Sequence, residues 1–163
     1  MASDTYLKID GIDGESTDAE HKKWMEVESF SWGVHQSAST RVSTAGGGTS
    51  ARADFSDLSI VKMMDSASPL IALACASGKH IKEVIVELCR AGGDKRVKYM
   101  EYKLEEVIIS AVSVGGGGGS LPVETITFNY GKISWTYTKQ ERAGGGGGGQ
   151  VPAGWNLKEN KKI

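Results

Sequence analysis

The sequence predicts a mainly β fold: a single-domain antiparallel β-barrel of two packed sheets, with one short α-helix near residues 69–77 flanking or plugging it. Three observations point there. Apolar and polar residues alternate over several long stretches, the period of a strand with one buried face. Glycine and serine punctuate most of the gaps between those stretches. One segment alone carries helix start and stop signals. Long strands with turns between them favour closure, because closure removes open sheet edges.

Residues 5–10 alternate, with Leu7 and Ile9 on one face and Tyr6 and Lys8 on the other. Residues 26–36 alternate again, Phe30, Trp32 and Val34 opposing Val27, Ser29, Ser31 and Gly33. Residues 53–64 place Phe55 near the start of a third strand, followed by Leu58, Ile60 and Val61. In residues 65–78, Ser68 is the expected N-cap and Pro69 takes the first helical position, where a missing N–H costs nothing. Gly78 suits the left-handed C-terminal cap. Leu70, Ile71, Leu73, Ala74 and Cys75 make this helix apolar around most of its circumference, so it belongs against a sheet or in a barrel mouth.

Residues 81–90 put Val84, Val86 and Leu88 on one face. In residues 97–114, Met100, Tyr102 and Leu104 keep phase until Glu105-Glu106, where a bulge is expected to reset the register. Residues 121–139 run Ile126, Phe128, Tyr130 and then Ile133, Trp135, Tyr137, with Gly131 at the phase change, where a barrel strand bends. Gly154-Trp155-Asn156-Leu157 adds a short edge strand. Flexible glycine-rich loops are expected near 44–50, 115–120 and 143–150, because a glycine run has maximal backbone entropy and no side chain to bury.

A chain of 163 residues fits one domain, residues 1–163, and buries roughly 70% of its unfolded surface without a staple. Nineteen basic residues against 20 acidic ones give a net charge of −1, with no electrostatic footprint for nucleic acid. The first residues have neither a basic region nor an apolar run, so no secretory signal is expected. Leu70 to Ala76, the longest apolar run, is too short to enter a membrane as a span. A soluble product that starts in the cytosol follows from both.

Nothing in the chain reads as an active site. Cys75 and Cys89 lack C-x-x-C spacing and read as reduced residues in apolar surroundings rather than a disulfide or metal pair. His21, His35 and His80 are isolated, and the acids Asp10, Asp13, Glu15, Asp18 and Glu20 miss the EF-hand spacing. Gly78-Lys79-His80 fails the phosphate-loop pattern, and Gly118 to Pro122 fails the nucleophile elbow. No catalytic, metal or cofactor site is expected, and the chain reads as no enzyme. Two faces stand out instead: Ser29 and Ser31, and Thr125, Thr127 and Asn129, are smooth, polar and uncharged. They are either a plain solvent-facing side or a wall lining an enclosed aqueous space.

Several segments run in order across essentially the whole chain: Tyr6 to Ile9, Gly11 to Ser16, Ser31-Trp32-Gly33, Asp65 to Pro69, Ala74 to Gly78, Arg90 to Gly93, Leu104 to Ser110 and Gly154-Trp155-Asn156. Together they resemble the haemolysin-coregulated protein (Hcp) family, the tube subunit of type VI secretion systems. The resemblance implies a barrel flanked by a helix and a homohexameric ring. Such rings stack head to tail into an inner tube, expelled by a contractile sheath and tipped by a spike protein. It also implies effector proteins carried and chaperoned in the ring lumen, and export through that apparatus without a signal peptide. It implies no cofactor, nucleic acid or membrane insertion.

On that basis Ser29, Ser31, Thr125 and Thr127 are candidate lumen contacts. Arg41, Thr44, Gly46, Gly47, Gly48 and Arg52, in the long segment between strands, are candidates for ring stacking. Two other readings compete. A catalytic extension would need more than the ten residues that follow Ala153. A non-assembling small-ligand barrel would need an apolar pocket of roughly 300 Å³ or more. Phe30, Trp32, Phe128 and Trp135 are expected to fill that interior.

Overall fold

The computed structural model describes residues 3–37, 52–92, 95–140 and 147–163. Among them lie eleven strands and one helix: β1 (Ser3–Ile9), β2 (Met25–Val27), β3 (Ser29–Ser31), β4 (Val34–His35), β5 (Asp54–Phe55), β6 (Leu58–Met63), α1 (Ser68–Ser77), β7 (Ile81–Gly92), β8 (Lys95–Gly115), β9 (Val123–Gln140), β10 (Gly147–Asn156) and β11 (Lys161–Lys162). The main sheet runs β11-β10-β9-β8-β7-β1-β2, with β6 joining β9 to β3, and β4 pairs with β5 in a small ribbon. Every described pairing is antiparallel.

Residues 25–31 bring the sheet round on itself. Their first half, β2, pairs with β1, and their second half, β3, pairs with β6. Between the halves the Glu28 N–H donates to the Val61 carbonyl at 2.8 Å. The barrel is thus bridged rather than closed by an unbroken ladder, which corrects the single strand expected over residues 26–36.

Strand alternation builds the core. Leu7 and Ile9, Val84 and Val86, Ile126 and Phe128 all point inward as the period requires. On β6 the inward set is Leu58, Ile60 and Lys62, while Val61 takes the other face. β8 and β9 change phase together. Leu104 and Val107 are both buried, as are Tyr130 and Ile133, and the pairs Leu104↔Ile133 and Val107↔Tyr130 keep one register. Glu106 absorbs the change in its own backbone, at φ 54°. The register slip expected at Glu105-Glu106 falls instead at Ser110, between Ile109 and Ala111.

The helix departs from its expected cap. Ser68 lies inside α1, whose N-cap is Ala67 with no side-chain cap. Asp65 and Ser68 instead brace the preceding turn, Asp65 Oδ1 accepting the Ala67 N–H at 3.0 Å and Ser68 Oγ accepting the Asp65 N–H at 3.0 Å. Gly78 takes the left-handed position at φ 63°, as expected. Ile71 and Ala74 pack into the core, but Leu70 and Leu73 are exposed, so α1 flanks the barrel rather than plugging it.

Two glycine tracts are partly ordered into strands. Gly115 ends β8, and Gly147 and Gly148 pair with Gln140 and Lys139 at the start of β10. Ladder pairing uses only backbone amides and carbonyls, so a missing side chain does not prevent it.

Candidate functional site

The outward positions of β3, β6, β9 and β8 lie in register. One row reads Ser31, Ser59, Thr127, Ala111, and the next reads Ser29, Val61, Thr125, Ser113. The four residues Ser29, Ser31, Thr125 and Thr127 therefore share one sheet face, although about a hundred residues separate them in the chain. Ser59 and Ser113 complete it, and sequence reading missed both. Ser59 was recoverable, since it sits between Leu58 and Ile60 in the strand period.

No charged side chain stands in these two rows. A polar chain fixes their border: Ser110 Oγ donates to Asp57 Oδ2 at 2.6 Å and lies 2.8 Å from Thr127 Oγ1, while Asn129 Nδ2 donates to Asp57 Oδ1 at 3.0 Å. Both Asp57 oxygens are thereby engaged. Ser110 reaches this position because it is the bulged residue of β8. Chemically the face offers short hydroxyl donors and acceptors with no fixed charge and no nucleophile–base pair.

The stacking candidates do not join this face. Arg52 donates to the Leu157 carbonyl of its own chain and lines a cleft of about 350 Å³ with His80, Glu106, Asn129 and Lys158. Arg41, Thr44, Gly46, Gly47 and Gly48 lie outside the described residues.

Behind the polar rows the interior is filled by side chains. Phe128 is fully buried, and Trp32 packs against Trp135, Tyr102 and Phe55 with ring centroids 5.3, 6.1 and 6.4 Å apart. The Trp32 indole donates to Tyr130 Oη at 2.6 Å, and that hydroxyl donates to the Ser56 carbonyl at 2.7 Å. Burial pushes the Tyr130 hydroxyl up to about 12.

A second cluster lies on the outer face of β1 and β7, beneath residues 10–24. Tyr6 stacks flat on His21, with centroids 4.1 Å apart and planes at 4°. His21 Nδ1 lies 2.9 Å from Asp18 Oδ1, and Nε2 lies 2.6 Å from Glu87 Oε2. Cys89 Sγ is 3.9 Å from the same Nε2. Lys98 reaches Glu87 and Glu101, and Arg96 reaches Asp18 and Asp4.

This corrects two expectations: His21 is not isolated, and Cys89 does not sit in apolar surroundings. Residues 87 and 89 share a strand face, and the loop folds back to lay His21 over it. The hydrogen bond from His21 holds the Asp18 carboxyl below its ordinary range. Burial, then the Glu87 charge, push the Cys89 thiol up to about 11.

A family model described as "Type VI secretion system effector, Hcp" matches residues 6–137. Protein hcp1 of Pseudomonas aeruginosa is 37% identical over 161 residues, which is 98% of each chain. A solved structure described as a type six secretion system protein superposes with a TM-score of 0.91 at 40% identity, over 99% of this chain and 100% of that one. Hcp1 from Salmonella typhimurium superposes with a TM-score of 0.81 at 34% identity, over the whole of both chains.

Proposed function

The chain belongs to the Hcp family of type VI secretion proteins, and from that premise we propose that it is a structural, non-catalytic tube subunit. Six copies form a ring, rings stack head to tail, and a contractile sheath expels the resulting tube behind a spike protein. Effector proteins travel in the lumen, and the chain leaves the bacterial cytoplasm by this route.

One observation carries the reading: the uncharged rows that hold Ser29, Ser31, Thr125 and Thr127, which run over four strands with Ser59, Val61, Ala111 and Ser113 between and beside them. Solvent-facing positions on β7 and β8, by contrast, carry charge at Glu83, Lys103 and Glu105. A wall without fixed charge lets cargo pass or lodge without trapping one sign of surface. The exposed Leu70 and Leu73 of α1 supply apolar surface for a subunit contact. A head-to-tail contact closes into a ring when its rotation closes and otherwise extends into a filament. Arg41, Thr44, Gly46, Gly47 and Gly48 are assigned to stacking on sequence position alone, with Arg52 at the edge of that segment.

The test is native mass by light scattering after size exclusion, followed by negative-stain imaging. Six-fold mass with annular particles supports the ring. A monomer at high concentration overturns it and brings forward the small-ligand barrel.

A further inference from the structure

We propose that His21, Glu87 and Cys89 form a binding site for a thiophilic divalent cation of the zinc(II) class. One ligand atom from each residue lies within 4.8 Å of the others. Tetrahedral bonds of about 2.0–2.3 Å set ligand atoms roughly 3.3–3.8 Å apart. The His21 Nε2 to Cys89 Sγ distance of 3.9 Å already matches that spacing. The 2.6 Å from Nε2 to Glu87 Oε2 is a hydrogen bond, and the carboxylate swings out by roughly 1 Å when a metal replaces the shared hydrogen.

The imidazole is held ready for this role from its other side. Its Nδ1 faces Asp18 Oδ1, and that oxygen is pinned by the N–H groups of Glu20 and His21 at 3.2 and 3.1 Å. A carboxylate on one ring nitrogen fixes the tautomer and aims the other nitrogen at a metal. The stacked Tyr6 ring fixes the imidazole plane as well. A neutral imidazole, a thiolate and one carboxylate select zinc-like ions over magnesium or calcium.

Charge balance permits the exchange. The 2.6 Å contact between His21 Nε2 and Glu87 Oε2 holds one hydrogen, and Cys89 carries its thiol hydrogen. Metal binding breaks one N–H and the S–H bond, sends two protons to solvent, and forms metal–nitrogen, metal–sulfur and metal–oxygen bonds. One dication thus replaces two protons, with no oxidant or reductant involved. Lys98 releases Glu87 and keeps its 2.7 Å bond to Glu101. The partly exposed Lys98 and Glu87 side chains mark the entry path. Water takes the fourth coordination position.

The experiment is titration of the reduced, chelator-treated full-length protein with cobalt(II), a spectroscopic stand-in for zinc. A thiolate-to-cobalt charge-transfer band should rise in the near ultraviolet, saturate at one ion per chain and disappear on adding zinc. Cys89→Ser should abolish the band, and Cys75→Ser should keep it. Glu87→Gln, the milder change at a half-buried position, should weaken cobalt binding at least tenfold. No band in the wild-type protein overturns the site, as does a band that survives in Cys89→Ser or is unaffected by Glu87→Gln. Ring mass is a separate measurement, so this site and the tube reading fail independently.

Discussion

Lys62 and Glu124 are direct cross-strand neighbours with Nζ 3.0 Å from Oε2, and both side chains are buried. The ammonium spends its three hydrogens on Glu124, Asp65 Oδ1 at 2.8 Å and the Met63 carbonyl at 3.0 Å. Glu124 also accepts from Ser68 Oγ at 2.8 Å. One buried pair thereby ties β6 to β9 and both to the start of α1. Breaking a buried pair leaves an uncompensated charge, at about 3–5 kcal/mol, whereas replacing both members with apolar residues is often close to neutral. Lys62→Met strands the buried Glu124 carboxylate and should lower stability by that amount, and adding Glu124→Leu should recover most of it, because Lys62 is the cation facing Glu124 while Asp65 is partly exposed. Urea midpoints at fixed protein concentration measure both, and a cost below about 1 kcal/mol for Lys62→Met would show the pair to be dispensable.

Tyr130→Phe removes the oxygen that accepts from Trp32 and donates to Ser56. The indole N–H is then left without its partner beside a packed aromatic layer. An unsatisfied buried donor costs about 1–3 kcal/mol, and that is the expected loss. Equilibrium unfolding followed by tryptophan fluorescence reads it.

The same hydroxyl sets an alkaline limit. Its folded value is raised from 10.0 to about 12, so the unfolded chain ionises first. The stabilisation is complete below pH 10 and is lost as pH rises through 12. Unfolding midpoints measured at intervals above pH 9 should fall more steeply for the wild type than for Tyr130→Phe. Parallel slopes would remove Tyr130 from the alkaline response.

Gly14→Ala tests how residues 10–24 are held over β1 and β7. A Cβ at Gly14 would stand 2.5 Å from the Trp24 carbonyl oxygen and 2.5 Å from Met25 Cγ. The backbone atom cannot turn aside, so the loop must shift, at about 1–3 kcal/mol. Because this loop covers Cys89, alkylation of that buried thiol should accelerate in the variant. An unchanged rate would mean that the loop absorbs the methyl locally.

These sites differ in how much the chain discloses of them. The hydroxyl rows were legible because strand period alone assigns Ser29, Ser31, Thr125 and Thr127 to outward faces. Lys62 was not, since an inward lysine looks like a phase break until Glu124 is known to lie opposite. The His21 cluster was hidden for another reason. Its members are 66 to 68 residues apart, and a loop without periodicity brings them together. Gly147 and Gly148 look like loop residues by composition, because side-chain rules say nothing of the backbone pairing they make. Ser68 looks like a cap by residue type, but its hydroxyl is taken by the Asp65 N–H and by Glu124, and Ala67 holds the N-cap position.

Ser31→Gln bears on the proposed lumen. Ser31 faces outward beside Ser59 and Thr127, in a row whose side chains are all short. A glutamine there projects a flexible amide over a surface of short, uncharged side chains, while touching nothing in the core. Surface changes of this kind usually stay within about 0.5 kcal/mol, so folding and native mass should match the wild type. If effector proteins lodge against this face, the added bulk should reduce their co-purification from co-expressing cells. Retention equal to wild type, at unchanged mass, would remove Ser31 from the contact surface and leave Thr125 and Thr127 as the next positions to change.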